Sequence, residues 1–399
     1  MDCSYICHME PQPKVSFENT EIAFSGKSDR DLKKAYYLFK LIGNPSLVKV
    51  GDFLTNTALK LHIPIGWAIK SNIFKQFCGG EDIQECERAT KILDQGRIGT
   101  ILDYSVEGKD NEKDFDATAE ETLRTIRTAN NNTHIPFSVF KVTGVARFEL
   151  LEKVNAKDIL TESEIAEWQR VRGRVDMICN LAYETGTPIF IDAEDSWIQD
   201  AIDGLVNEMM EKYNKKDFIV YNTIQLYRHD RLQFLKDSHT HAKQNGYKLG
   251  FKLVRGAYME KERSRANEKG YRDPIQPNKE ACDRDFDAAV EYCVENINDI
   301  AICCGSHNET SSEKLALLLD QKGIARNDKR VFFAQLYGMS DHISFNLAHA
   351  DYNVAKYVPY GPIKEVIPYL IRRAKENTSV KGQTGRELSL IMKELRRRR

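Results

Sequence analysis

The chain has 399 residues, 41% of them hydrophobic and 29% charged, enough apolar material for a large core, and this composition excludes a fibrous or disordered protein. Its 58 Lys and Arg balance 59 Asp and Glu, so there is no field to draw nucleic acid, and none is expected as a partner. No apolar run approaches the ~20 residues of a membrane span, and the nine cysteines, odd in number and without a CxxC pair, read as reduced thiols in a cytoplasmic compartment.

The opening string MDCSYICHMEPQPKVSF has neither an apolar signal core nor the arginine-rich texture of a transit peptide. From about 28 to 96 the stripes in LKKAYYLFKLI and LVKVGDFLTNTALKL predict helices and no strand, which makes 1–95 an N-terminal helical arm. Eight short β-branched or aromatic runs follow: TILDYS (100–105), FSVFKVT (137–143), PIFIDAE (188–194), FIVYNTIQ (218–225), GFKLVRGA (250–257), IAICCGS (300–306), VFFAQL (331–336) and NVAKYVP (353–359). Near-continuous apolarity suits strands buried on both faces, and the spans between them, such as ESEIAEWQRVRGRVDMICNLAYETG, carry the helical period. Eight strands with eight crossovers predict an α/β fold, a (βα)8 TIM barrel over 96–379, with a basic tail over 380–399. The alternative is an open doubly wound sheet, which usually has fewer strands.

In such a barrel chemistry collects at the C-terminal ends of the strands. Here those ends read Asp103, Lys141, Asp192 with Glu194, Gln225, Lys252 with Arg255 and Tyr258, Ser306 with His307, Gln335, and Tyr357. Any one of them is equally well explained as a helix cap or a solvent contact; eight converging on one rim read as a site. No GxGxxG follows a strand, and there is no phosphate loop, GxSxG or HExxH. His239 and His241, two apart on a predicted helix, point in different directions, so no metal site is expected. A rim rich in Lys, Arg, Tyr and Gln suits an anionic organic cofactor better than zinc.

After the last run, PIKEVIPYLIRRAKEN places Ile363, Val366, Ile367, Leu370, Ile371 and Ala374 in one helical stripe and gathers Tyr369, Arg372, Arg373 and Glu376 on another face. Adjacent guanidinium groups can hold a carboxylate by paired charge-assisted hydrogen bonds. On spacing alone an ordinary solvated helix face is the better explanation.

The strings KLVRGAYMEKER (252–263), FAQLYGMSDHISFNLA (333–348) and YVPYGPIKEVIPYLIRRAKEN (357–377) resemble proline dehydrogenase in its single-function form, in family order, with the likeness running over roughly 96–380. The resemblance implies a distorted barrel that binds FAD without covalent attachment, with the last helix across the barrel mouth. It implies that Arg372, Arg373 and Lys141 hold the carboxylate of proline and that Tyr258, Tyr357, Tyr369 and Leu336 enclose its ring. Around the flavin it implies Ala193, Gln225, Lys252, Val254, Gly256, Ala257 and Glu376, with Ser306 and His307 near the adenosine and pyrophosphate. Gly256 is expected to leave room for close backbone approach.

Asp192, Lys252 and Tyr258 are the catalytic expectations. Lys252, where many relatives carry arginine, would stabilise negative charge developing on the flavin, and Asp192 would orient Lys141 or a tyrosine hydroxyl. Glu107 corresponds loosely to a family glutamate that gates the site. The implied reaction is oxidation of L-proline to Δ1-pyrroline-5-carboxylate by hydride transfer from C5 to flavin N5, with electrons passed to a quinone. Tyr357 would crowd a 4-hydroxyl group, favouring proline over hydroxyproline. The arginines at 396–399 could touch anionic lipid, for a cytoplasmic protein peripheral to the inner face of a membrane. Two other classes stay open: an aldolase or lyase with Lys141 as Schiff-base nucleophile, and a degenerate, non-catalytic barrel, against which the complete set of rim residues argues. Oligomeric state is not legible in the sequence.

Overall fold

Eight parallel strands close on themselves in the computed structural model of the chain, each pairing with the next in order and the last with the first. They are β1 Gly99–Tyr104, β2 Phe137–Lys141, β3 Ile189–Asp192, β4 Val220–Gln225, β5 Leu249–Val254, β6 Ile300–Gly305, β7 Val331–Leu336 and β8 Val354–Tyr360. Closure sets Ile101 of β1 opposite Tyr357 of β8, and the open-sheet alternative falls. The structure describes residues 15–44, 46–48, 51, 73–106, 110–379 and 383–399, with the side chains of 375–379, 383 and 384 outside that set.

All eight predicted runs are strands, but β2 and β3 stop two residues early and β5 three. Residues 142–144 turn into a 3-10 helix, because the amide and hydroxyl of Thr143 bond the carboxylate of Glu194 instead of continuing a ladder.

Among the described residues the helices, apart from short turns at 46–48 and Lys75–Phe77, are α1 Thr20–Ala23, α2 Asp29–Ile42, α3 Ile83–Gln95, α4 Glu112–Asn130, α5 Phe148–Ala156, α6 Glu162–Thr185, α7 Ser196–Tyr213, α8 Arg231–Asn245, α9 Met259–Lys269, α10 Lys279–Glu295, α11 Glu309–Lys322, α12 Asp341–His349, α13 Ile363–Ser379 and α14 Gln383–Arg397. Several start at a side-chain cap that satisfies a free amide: Asn111, Thr161, Asn278 and Asn308 each accept from the third residue on. No helix among the described residues is long and apolar enough to cross a membrane. The described cysteines are buried and unpaired.

Among the described residues apolar side chains gather in three large clusters, beside a small one of Tyr227, Ile275 and Cys282. Inside the barrel, Phe137, Val139, Phe190, Tyr221, Cys303 and Tyr357 meet, with Phe137 stacked on Phe190 at 4.3 Å between centroids. Between strands and outer helices lies the main core, including Ile178, Ile202, Leu253 and Leu315. The third cluster joins Phe24, Leu32 and Phe39 of the arm to Val366, Tyr369 and Leu370 of α13 and to Leu390 and Ile391 of α14.

That third cluster draws the segment read as a basic tail onto the fold. Within 383–397, Leu390 and Ile391 pack inward, and the arginines beyond them bond protein groups: Arg397 and Arg398 both hold Glu394, and Arg398 also donates to the carbonyls of Phe24 and Lys27.

Candidate active site

The site follows from the two-residue period of the strands. Phe137 and Val139 face the barrel interior, so Lys141 does too. By the same step Phe190 leads to Asp192, Tyr221 to Gln225, Ala334 to Leu336, and Ala355 to Tyr357. Register aligns Lys141 with Asp192 and Leu336 with Tyr357, and puts Lys252 across β5 from Cys303 of the interior cluster.

Asp192 is the hub. Its Oδ1 accepts from the Lys252 ammonium and, at 3.3 Å, from the Tyr357 hydroxyl, while its Oδ2 lies 3.5 Å from Lys141 Nζ. Lys252 also donates to the Tyr357 oxygen at 2.6 Å and lies 4.5 Å from the centroid of the Tyr357 ring, a cation–π contact. Burial pushes the Asp192 carboxyl toward protonation, but Lys252 and Lys141 together outweigh it and hold its pKa below the ordinary value. The same burial, followed by the Asp192 charge, drives the Tyr357 phenol well above its usual range, so it remains a neutral donor.

Next along the chain, Ala193 is buried, and burial raises the Glu194 carboxyl to about 7 despite its two bonds from Thr143. Gln225 is buried at the end of β4, and its Oε1 has no hydrogen-bond partner. An unsatisfied buried acceptor is costly, so this oxygen marks a place for an N–H or O–H donor.

After β5 the chain opens to the surface: Val254 is half-buried, and Gly256 and Ala257 are exposed. Gly256 has φ +136°, and a Cβ there would meet the Tyr227 ring at 2.5 Å. The glycine is thus required by its own backbone and by Tyr227. Arg255, given no role above, donates to Ser306 at 2.8 Å, Ser311 at 2.9 Å and Asp283 at 2.8 Å. In the sequence it stands among the strand-end residues, beside Gly256 in the VRGAY string and out of phase with Lys252 and Val254.

Ser306 is buried beneath that guanidinium, and His307 shares a 2.9 Å hydrogen bond with Ser340. Burial, then Lys356 and Arg373, lower the His307 pKa to about 3, so the imidazole is neutral. Two other rim residues serve the fold: Gln335 bridges the Ser306 carbonyl and the Ser344 hydroxyl, and Asp103 accepts from Ser105.

Helix α13 closes the mouth. Arg372 lies over the ring of Tyr258, beyond β5, and helps Lys261 oppose the burial that raises the Asp195 carboxyl beyond β3. Arg373 lies over the Tyr369 ring at 5.3 Å and reaches the field of His307 beyond β6. One helix therefore spans the ends of three strands. The two-face expectation for this helix is incomplete: Tyr369 and Arg373, from the face read as polar, are buried as well, Tyr369 within the cluster shared with the arm and α14. The side chain of Glu376 and all of Glu107 lie outside the described residues. His239, of the HxH pair, bonds Tyr292 and Asp299.

What this arrangement offers is a cation-rich, aromatic-walled mouth: Lys141, Lys252, Arg372 and Arg373 around Tyr258, Tyr357 and Tyr369. Such a site favours a small anion and shields it from water.

A profile of the proline dehydrogenase family matches residues 86–386. Among curated proteins, the chain is 35% identical to proline dehydrogenase 1, mitochondrial, of Dictyostelium discoideum, covering 85% of this chain and 67% of that one. It is 34% identical to the carbapenem antibiotics biosynthesis protein CarD of Pectobacterium carotovorum subsp. carotovorum, over 81% of this chain and 83% of that protein. Among solved structures, proline utilization A of Bdellovibrio bacteriovorus inactivated by N-propargylglycine superposes with a TM-score of 0.71 at 20% identity. That match covers 94% of this chain but only 40% of the other, a likeness of fold.

Proposed function

The chain belongs to the proline dehydrogenase family, and from that premise we propose that it oxidises L-proline to Δ1-pyrroline-5-carboxylate with non-covalent FAD as cofactor. It is an oxidoreductase of proline catabolism. The observation that carries the finer reading is the meeting of Lys141, Asp192, Lys252 and Tyr357 on the barrel floor beneath a helix bearing Arg372 and Arg373.

The donor set suits FAD. The unpartnered Gln225 oxygen would accept from a flavin N–H, Lys252 with Ala193 and Val254 would face the isoalloxazine, and Gly256 and Ala257 would offer exposed backbone. Ser306, His307 and Arg255 would meet the pyrophosphate and adenosine. The chemistry FAD supplies when bound is acceptance of the C5 hydride at N5, with the electrons later passed to a quinone.

The chain's own residues do the rest. Arg372, Arg373 and Lys141 hold the proline carboxylate, and Tyr258, Tyr357, Tyr369 and Leu336 enclose the ring and exclude water. Asp192, kept ionised by its two lysines, fixes both ammonium groups and the Tyr357 hydroxyl. The substrate amine must be unprotonated, because its lone pair forms the C=N bond as hydride leaves C5. A Schiff-base reading needs a neutral Lys141 amine, and the Asp192 carboxylate at 3.5 Å opposes that state. Arg396 and Arg399 remain exposed for anionic lipid, at about 1 kcal/mol per charge; absence of binding in liposome flotation would remove membrane contact from this reading.

The test is the visible spectrum of the purified protein before and after anaerobic proline. A flavin band that bleaches with proline, and less with hydroxyproline, supports cofactor, chemistry and substrate together. A flavin that stays oxidised overturns the substrate, and a colourless protein that cannot be reconstituted with FAD overturns the cofactor.

A further inference from the structure

We propose that Lys27, on the N-terminal arm, is a positioning residue for this reaction: through Asp341 and Lys356 it fixes the turn 336–341 that carries Leu336 and adjoins Tyr357. The inference rests on assigning those two side chains to the walls around the substrate ring.

Asp341, at the start of α12, lies between two ammonium groups. Lys27 Nζ is 2.6 Å from its Oδ2 and Lys356 Nζ is 2.6 Å from its Oδ1. Lys356 is fully buried, and the aspartate is nearly so. Because β8 alternates, Lys356 points out of the barrel where its neighbour Tyr357 points in, so whatever fixes one fixes the other. The Lys356 ammonium also donates to the carbonyls of Leu336 and Met339, and the Tyr337 amide donates to the Tyr357 carbonyl at 2.8 Å. The turn is thus sewn to β8 along its length.

From outside, the rest of the arm and the last helix press on the same turn. Gln76 Nε2 donates to the Gly338 carbonyl at 2.7 Å, and Gly338 has φ +76°. A Cβ there would come within 1.8 Å of the Gln76 carbonyl oxygen, so only glycine lets the arm sit this close. Ser340 takes φ +50°, unusual for a residue with a side chain; its amide donates to Glu387 of α14 and its hydroxyl pairs with His307. Four elements distant in sequence converge on six residues.

Buried ions stabilise a fold little better than apolar packing would, and their best-attested return is geometric definition. The Lys27–Asp341–Lys356 array, with Glu387 as the second acid in its field, defines where Leu336 and Tyr357 stand. Lys27 belongs to no strand or rim and acts on substrate only through the turn.

The experiment compares full-length Lys27→Met, Lys27→Arg and Glu387→Gln with wild type in steady-state oxidation of proline and hydroxyproline. Lys27→Met is expected to raise KM for proline roughly tenfold while kcat changes less than about threefold, and to lower the proline-to-hydroxyproline ratio of kcat/KM. Lys27→Arg should recover most of the loss, and Glu387→Gln should shift KM and the ratio in the same direction by less. If Lys27→Met does not fold, Glu387→Gln carries the same test. Unchanged KM and substrate ratio, with only thermal stability reduced, overturns the inference while leaving the proposed function intact. A wild type inactive on proline overturns the proposed function, and this inference with it.

Discussion

Arg372 lies over the ring of Tyr258, its guanidinium carbon 5.7 Å from the centroid, so the helix across the barrel mouth is keyed to the residue that follows the fifth strand. A planar cation stacked on one face keeps its edge N–H groups available, an arrangement lysine cannot copy.

Arg372→Lys should therefore bind proline more weakly while keeping the charge. A charge-assisted hydrogen bond is worth about 1.5–3 kcal/mol, which predicts a KM roughly 10- to 100-fold higher. Steady-state kinetics with proline checks it; a KM within twofold of wild type would show that charge alone suffices.

Asp192→Asn removes the carboxylate shared by Lys252, Lys141 and Tyr357 and leaves a buried ammonium uncompensated. The expected loss of stability is about 3–5 kcal/mol, with turnover falling in parallel. Because the Asp192 pKa is lowered in the folded chain, its contribution is complete above the unfolded carboxyl value of about 3.9 and disappears as pH falls through the folded value. Urea unfolding across about pH 2–5 should show this acid-side slope in the parent and its reduction in the variant.

Glu194 titrates in the opposite sense. Burial raises its pKa to about 7, so the folded protein holds that proton more tightly than the unfolded chain does. Stability from this group is greatest below pH ~4.5 and declines by about 3 kcal/mol as pH rises to 7. Glu194→Gln should abolish that decline in urea midpoints measured between pH 4.5 and 7.5.

Tyr357→Ser opens space where a 4-hydroxyl group would clash and removes a partner of Lys252 and Asp192. Activity on hydroxyproline should rise relative to proline, and absolute turnover of proline should fall. Equal losses on both substrates would assign Tyr357 to the charge cluster alone.

Much of this was legible in the sequence, for a physical reason. A strand buried on both faces must be apolar nearly throughout, so eight such runs announced themselves, and the polar residues ending them stood out by contrast. Lys141, Asp192, Lys252 and Tyr357 were readable as strand ends, and their two-residue phase then carried them to one floor. What the pattern hid were partners far apart in the chain. Thr143 cuts β2 short because Glu194 reaches it from the next strand, and Lys27 has meaning only beside Asp341. The terminal segment misled because a run of four arginines outweighed the apolar positions in QTGRELSLIMKELRR, which make a packed helix. Tyr369 is buried where that helix and the arm pack against α13, a contact that no local pattern announces.

The third apolar cluster also has a bearing on biosynthesis. It fastens α13 between a segment far earlier in the chain and the helix that follows it, whereas the barrel strands pair neighbour to neighbour in chain order. On the ribosome every barrel strand is made before the segment around Leu390, so the packing over α13 is completed after the strands exist. A chain cut before Leu390 would carry the strand-end residues but lack the apolar cover that this segment lays over the helix at the mouth.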